Sequence, residues 1–199
     1  MLPIVRSVTL ATQSHDSGSN EMKAIVVYES VFGNTHAVAE AVAEGLGGVP
    51  VLSVREAVER AGDPDLLVVG GPTHAHGLAT DRTRHVAVDN AHEGADIEPD
   101  ATEEPGLRSW LGDLRSTTGR PAAAFDTRAD GVPLLTGSAA RGIARRLRQH
   151  GFDVLATESF LVKGTEGPLK PGELERARAW GEKLAHSMPA ATEIPAPPA

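Results

Sequence analysis

Lys23-Ala24-Ile25-Val26-Val27-Tyr28-Glu29-Ser30-Val31-Phe32-Gly33-Asn34-Thr35 is the stretch that decides the fold. Its apolar residues run continuously from 24 to 28 instead of alternating, the pattern of a strand buried on both faces. From Asn34 to Leu46 the apolar residues recur at Val38, Ala41, Val42, Gly45 and Leu46, which is helical spacing. A buried strand, a short loop and a helix make the opening βα unit of a parallel sheet.

The same alternation continues outward. Val49–Val54, Asp65–Val69, Pro121–Phe125 and Phe152–Val162 read as further strands, the last in one or two pieces. Between them, Glu56–Arg60, Thr80–Val88, Leu107–Leu114 and Ser138–His150 read as helical, with Ile143 and Leu147 on one face of the last. Glu173–His186 is a closing helix expected to turn Leu174, Ala177, Trp180 and Leu184 inward. Five strands interleaved with helices predict an open α/β sheet covered by helices on both faces. No internal repeat is present. The domain is expected over 22–187, between an N-terminal extension of residues 1–21 and a Pro/Ala-rich tail of residues 188–199, both expected to be disordered.

Composition narrows the function. The chain has 199 residues and no cysteine, so disulfides, thiolate metal sites and cysteine nucleophiles are excluded. No apolar run approaches a membrane span, and MLPIVRSVTLATQS lacks the apolar core of a secretory signal; a cytoplasmic protein without a membrane partner is expected. The 27 acidic and 19 basic side chains give a net charge of −8, which argues against nucleic acid as partner. The imbalance is local: residues 89–107 carry seven carboxylates and no Lys or Arg. That segment reads as a polar excursion from the sheet, whose removal is expected to leave folding intact while changing partner choice.

In open α/β sheets, ligands sit beyond the carboxyl ends of the strands. The first such loop, Ser30-Val31-Phe32-Gly33-Asn34-Thr35, leads into a helix whose N-terminal N–H groups and positive dipole end favour an anion. Ser30, Asn34 and Thr35 add short polar side chains, and Gly33 permits close backbone approach. No Lys or Arg lies between Ala24 and Val54, and no G-K-[ST] closes the loop, so a nucleoside triphosphate is a poor candidate. One glycine in Glu29–Thr35 does not make a dinucleotide fingerprint. A monophosphate held by neutral donors remains, beside the alternative of an ordinary Ser/Asn helix cap.

These residues, Val26 to Thr35, resemble the phosphate-loop motif of the flavodoxin family: an apolar strand, an aromatic, Ser or Thr, two variable residues, a small residue, then x-Thr. The similarity of layout extends over about 23–187. It implies a five-stranded parallel sheet in the order 2-1-3-4-5, bound FMN and electron transfer, with Ser30, Val31, Phe32, Gly33, Asn34 and Thr35 around the FMN phosphate. It further implies that Pro72, Thr73, His74, His76 and Gly77, in the loop after strand three, face the flavin ring. Asp126, Thr127 and Arg128, after strand four, are implied on its other side.

The chain departs from the family where His74 and His76 stand in place of a large aromatic. His-x-His also admits a metal reading, disfavoured because no Asp follows at the spacing a dimetal site requires and no cysteine exists, and the blander reading of a solvated pair without a role. Asp126 equally suits capping a turn or pairing with Arg128. Ser138 reads as a helix cap, because the glycine pattern of a nucleophile elbow is absent. Arg141, Arg145, Arg146 and Arg148 form a basic helix face, solvated or docking an acidic partner.

Three functions follow: an FMN-carrying electron shuttle between partner proteins, an NAD(P)H-dependent flavin or quinone oxidoreductase on the same fold, and a non-redox binding or signalling module. The last is disfavoured, because Gly70-Gly71-Pro72 stands where a receiver domain needs an acidic phosphoacceptor. Nothing in the sequence bears on oligomeric state.

Overall fold

The computed structural model describes residues 22–74, 77–131 and 137–188. The expected extension of residues 1–21 and all of the expected tail after Met188 lie outside the described residues, as does His76. In chain order the elements are β1 (Ala24–Tyr28), α1 (Asn34–Gly45), β2 (Val51–Ser53), α2 (Val54–Arg60), β3 (Leu66–His74), β4 (Gly77–Leu78), α3 (Asp81–Asp89), α4 (Leu107–Gly112), β5 (Arg120–Ala129), α5 (Ala139–Gln149), β6 (Phe152–Val162) and α6 (Glu173–Ser187).

Five strands pair in parallel in the order β2-β1-β3-β5-β6, and the two-residue β4 folds back antiparallel on β3. With that short hairpin strand set aside, the order is the expected 2-1-3-4-5. Successive residues of the central strands point to opposite faces. Val26, Val68 and Phe125 pack under α1 and α6, together with Val38, Val42 and Trp180. Val27, Val69 and Ala124 pack on the other side with Leu107, Ile143 and Leu147 of α4 and α5. Each strand therefore needs apolar residues at every position, which is why the sequence shows runs and not alternation.

Two strands run further than their apolar runs. β3 continues from Val69 through Gly70, Gly71, Pro72 and Thr73 to His74, and β5 continues through Asp126, Thr127 and Arg128 to Ala129. The two extensions hold each other by backbone pairing, Gly70 to Phe125, Gly71 to Asp126 and Pro72 to Thr127. Pro72 is tolerated because β1 ends its pairing at Tyr28–Gly70, leaving that side of β3 without a ladder to feed. The Phe125 ring occupies the space above Gly70: a Cβ there would sit 2.0 Å from Phe125 Cζ. β6 is one strand, and the expected break is a register shift opposite Ala122 and Ala123.

Leu174 does not face inward; it is 43% exposed in the first turn of α6, while Ala177, Trp180 and Leu184 are buried. Trp180 packs edge-on against both Phe125 and Phe160, with ring centroids 6.2 Å apart in each case. α1 and α6 approach with glycine against backbone. A Cβ on Gly181 would lie 2.3 Å from the Val42 carbonyl oxygen, and one on Gly45 would lie 2.0 Å from that of Arg178.

The acidic stretch leaves the sheet as expected but is bound down on it, which argues against the expectation that deleting 91–106 leaves folding largely intact. The Glu98 amide donates to the Val31 carbonyl at 2.9 Å, and Ala101 is buried. Arg84 of α3, 2% exposed, reaches the Glu103 carbonyl at 2.8 Å and the Glu104 carboxylate at 2.7 Å. Removing residues 91–106 strips a buried guanidinium of these acceptors.

Gly181→Ala is expected to force α1 and α6 apart and cost about 1–3 kcal/mol. Urea unfolding followed by circular dichroism checks this; a midpoint unchanged from wild type contradicts the close packing.

Candidate functional site

At the carboxyl ends of β1, β3 and β5 lies a cavity of about 360 Å³, within the range of roughly 300–1,000 Å³ usual for small-molecule sites. Ser30, Val31, Phe32, Asn34 and Thr35 of the β1–α1 loop line it, as do Pro72, Thr73 and His74 of β3 and Thr127 and Arg128 of β5. Three segments singled out in the sequence thus converge on one hollow. Gly33 and Gly77 do not line it, and His76 is outside the described residues. A larger hollow of about 640 Å³ lies at the opposite ends of the strands, beside Ile25, Trp110 and Phe152.

The first loop is set for an anion. Gly33, at φ 71°, caps α1 in the left-handed region that glycine adopts freely. No side chain caps this helix and no acidic residue sits in its first turn. The helix therefore brings no negative charge of its own to its N-terminus, although Glu98 Oε1 of the acidic stretch lies 3.8 Å from where a Cβ on Gly33 would stand. Ser30 is 4% exposed, and among the described residues its Oγ has no hydrogen-bond partner. Thr35 Oγ1 and Thr127 Oγ1 lie 2.7 Å apart, joining the first and third segments. A hydroxyl carries one proton, so the pair spends one on its own bond and keeps one to donate outward. Asn34 Nδ2 donates to the Glu166 carbonyl at 2.8 Å and so fixes the β6–α6 connection over the loop.

Asp126 is placed differently from the sequence expectation. It is fully buried and does not line the cavity. Its Oδ2 accepts from the Ala140 amide at 2.8 Å and the Ser138 hydroxyl at 2.7 Å, at the start of α5. The carboxylate thus serves the N-terminus of that helix, where negative charge is favoured. Ser138 accepts in turn from the Arg141 amide, as a cap. Thr73 Oγ1 accepts from the Ala139 amide at 2.9 Å, so the same helix start also orients a cavity-lining residue of β3.

His74 is partly buried, and this burial, with Arg84 nearby, holds its pKa below the ordinary histidine value despite a hydrogen bond to the Thr83 backbone. At neutral pH it presents a neutral imidazole to the cavity. No group of three or more His, Asp or Glu suited to a metal ion occurs among the described residues.

Several lining residues were invisible in the sequence. Thr83, Val86, Ala87 and Asn90 form a wall from α3, and Val162, Thr165 and Glu166 come from the end of β6 and beyond. The acidic stretch covers the loop from outside: Glu98 Oε1 accepts from His36 Nδ1 at 2.9 Å, and His36 stacks on Tyr28 with centroids 4.4 Å apart. His92 contacts Glu166.

Behind the loop, Glu29 Oε2 accepts from the Leu107 amide at 2.7 Å and lies 3.5 Å from Arg84 Nε. Burial pushes the Glu29 carboxyl up from its usual value, against the lowering effects of the Leu107 amide and Arg84.

The parallel sheet and its strand order have a counterpart among solved structures. This is the flavodoxin fold. A flavodoxin from the domain Archaea superimposes with a TM-score of 0.54 at 21% identity, covering 84% of this chain and 99% of that one. Flavodoxin 1 from Bacillus cereus gives 0.55 at 15% identity, covering 83% and 99%. A short-chain flavodoxin associated with a non-canonical PDU bacterial microcompartment gives 0.55 at 17% identity, covering 84% and 99%. No protein-family model matches the chain, and no curated protein matches it. The flavodoxin-like fold extends across most of the chain.

Arg84→Met is expected to destabilise the protein by about 3 kcal/mol near neutral pH, because it leaves Glu29 buried without its cation. The sign with pH follows from Glu29. A raised carboxyl pKa means stability that is full below the ordinary value of 4.5 and is lost as pH rises through the folded value. Removing Arg84 raises that value further, so the deficit is smallest in acid and grows with pH. Denaturant titrations between pH 4 and 8, as a rough window around the ordinary carboxylate range, check this; a deficit that shrinks with rising pH contradicts the pairing.

Proposed function

We propose that this protein binds FMN non-covalently and carries electrons between partners in the cytoplasm. The observation that carries the reading is the Ser30–Thr35 loop at the start of α1, where, among the described residues, no side chain caps the helix and the buried Ser30 hydroxyl has no hydrogen-bond partner. That donor set fits a terminal monophosphate: neutral hydroxyls and backbone amides at a helix N-terminus, with no lysine demanded by a longer phosphate chain. Bound FMN supplies one- and two-electron redox chemistry. Ser30, Thr35 and Thr127 would hold its phosphate end through hydroxyls and Asn34 through its backbone amide, its side-chain amide being spent on the Phe32 and Glu166 carbonyls. Pro72, Thr73, His74 and Arg128 lie along the cavity that would take the ring. His74, neutral and partly buried, orients the ring without adding charge. Arg128 would bring a positive charge to the cavity wall beside that ring.

No helix among the described residues is long and apolar enough to cross a membrane, which is compatible with this placement.

A second reading, an NAD(P)H-dependent flavin or quinone oxidoreductase, is favoured by the α3 wall. Val86 and Ala87 are small, Val86 is 47% exposed, and Phe32 is the one large aromatic lining the cavity among the described residues. A substrate stacked on the ring has room there. Steady NAD(P)H consumption with a quinone, without added reductase, selects the enzyme; no turnover without a reductase selects the carrier.

Titration with FMN is expected to give saturable binding at micromolar concentrations or below, seen as quenching of flavin fluorescence. No binding there rules out both redox readings.

Thr35→Ala is expected to weaken FMN at least about tenfold, the size of a lost hydrogen bond to a charged group, and to leave riboflavin nearly unchanged. Equal losses for the two ligands would show that the loop does not hold phosphate.

A further inference from the structure

Arginines fall into two populations in this chain. Six of the described arginines pair with carboxylates: Arg55 with Glu103, Arg60 with Glu56, Arg120 with Asp63, Arg176 with Glu158 and Glu173, Arg178 with Glu44, and Arg84 with three acids. Arg141, Arg145, Arg146 and Arg148 of α5 and Arg108 of α4 do not; among the described residues none of the five has a carboxylate within ion-pair distance. This grouping occurs in a chain with 27 acidic side chains against 19 basic, where a pairing partner is statistically easy to supply.

The geometry gathers the five into one surface. Arg141, Arg145 and Arg148 stand at i, i+4 and i+7 and are exposed, a stripe about 10 Å long at 1.5 Å per residue. Arg146 leans from that stripe toward α4, its guanidinium donating to the Gly142 carbonyl. Arg108 is pinned by donation to the Ala79 carbonyl at 3.2 Å and the Leu78 carbonyl at 2.6 Å. Burial and the neighbouring Arg108 and Arg145 push the Arg146 guanidinium below its ordinary pKa, so the grouping costs the free protein energy. An interaction held against like-charge repulsion is relieved when an anionic surface covers it.

The surface lies next to the candidate site. α5 packs on β4, where a Cβ on Gly142 would touch Leu78 at 3.4 Å. Leu78 pairs with Thr73, which lines the cavity. One hairpin strand therefore separates the arginines from the cavity wall. The segment of residues 89–107, with seven carboxylates, holds down the β1–α1 loop through Glu98. Opposite charges in two separate places give the molecule a dipole that orients an approaching charged partner.

We propose that Arg108, Arg141, Arg145, Arg146 and Arg148 form a docking surface for the acidic face of a partner protein. A stripe of this length, on a helix flank, matches a spread of carboxylates and not a single small anion. That the partner is a redox protein rests on the flavin reading above; the surface itself does not.

The test uses the full chain and a fluorescein-labelled octaglutamate peptide, with binding read by fluorescence anisotropy across a salt series. Wild-type protein is expected to bind at low ionic strength, with affinity falling as salt rises. The double variant Arg141→Glu/Arg145→Glu is expected to lose at least about tenfold. Lys23→Glu/Lys183→Glu makes the same change in net charge elsewhere and is expected to lose less than about twofold. Absence of wild-type binding, or equal losses in the two variants, overturns the proposal. Should the double variant fail to fold by circular dichroism, Arg148→Glu at the exposed end of the stripe supplies the comparison, with a several-fold loss expected and none overturning it. FMN affinity is measured on the same samples. Peptide binding without FMN binding refutes the flavin reading and leaves the surface standing; FMN binding without peptide binding does the reverse.

Discussion

A guanidinium that is 2% exposed has to be met by acceptors on every side, and Arg84 recruits them from three parts of the chain. Glu29 comes from the end of β1, Asp81 from the start of α3, and Glu104 with the Ala101 and Glu103 carbonyls from the acidic stretch. Glu29 is in turn bonded to the Leu107 amide that opens α4. An arginine cannot shed its charge, so these segments must close around it together. The consequence reaches the candidate site, since Glu29 directly precedes Ser30 and α3 supplies one wall of the cavity. The cluster explains why an acidic segment without a counter-charge of its own is nevertheless fastened to the domain.

The sheet supplies the other constraint. Backbone pairing of β3 with β5 runs past the point where β1 stops, through Gly71–Asp126 and Pro72–Thr127. This brings Thr127 within 2.7 Å of Thr35 and places Thr73 beneath the start of α5. Thus an extended pair of strand ends, and not a pair of free loops, forms the floor of the cavity. Side chains fixed on strands hold their positions more closely than side chains on loops, which suits the recognition of a rigid planar ligand.

Much of the fold was legible in the chain because both faces of the central strands are covered. The runs Ile25–Tyr28 and Leu66–Val69 read as strands for that reason, and Val38, Val42, Ile143 and Leu147 read as inward helix positions for the related one. Leu174 misled because periodicity marks a face without saying whether the first turn of that face is covered. Asp126 misled because a carboxylate at a strand end looks available, whereas the start of α5 consumes one of its oxygens. The ends of β3 and β5 were hidden by Gly70, Gly71, Pro72 and Asp126, residues of low strand propensity that pairing with a neighbour overrode.

By itself, the sequence determined the βα alternation, the strand order through its resemblance, and the anion-suited loop from Ser30 to Thr35. Each of these is local: a run, a spacing, or a helix start within a few residues. Tertiary structure alone decided which distant residues share a space with that loop, namely Thr83 to Asn90 of α3, Thr127 of β5 and Glu166 beyond β6. It also decided which charges are neutralised and which are not, burying Arg84 among three carboxylates while leaving the arginines of α4 and α5 without one among the described residues. The physical reason is that local patterns report burial of apolar surface, which is non-directional and periodic, whereas the pairing of charges depends on which segments the folded sheet brings within a few ångströms.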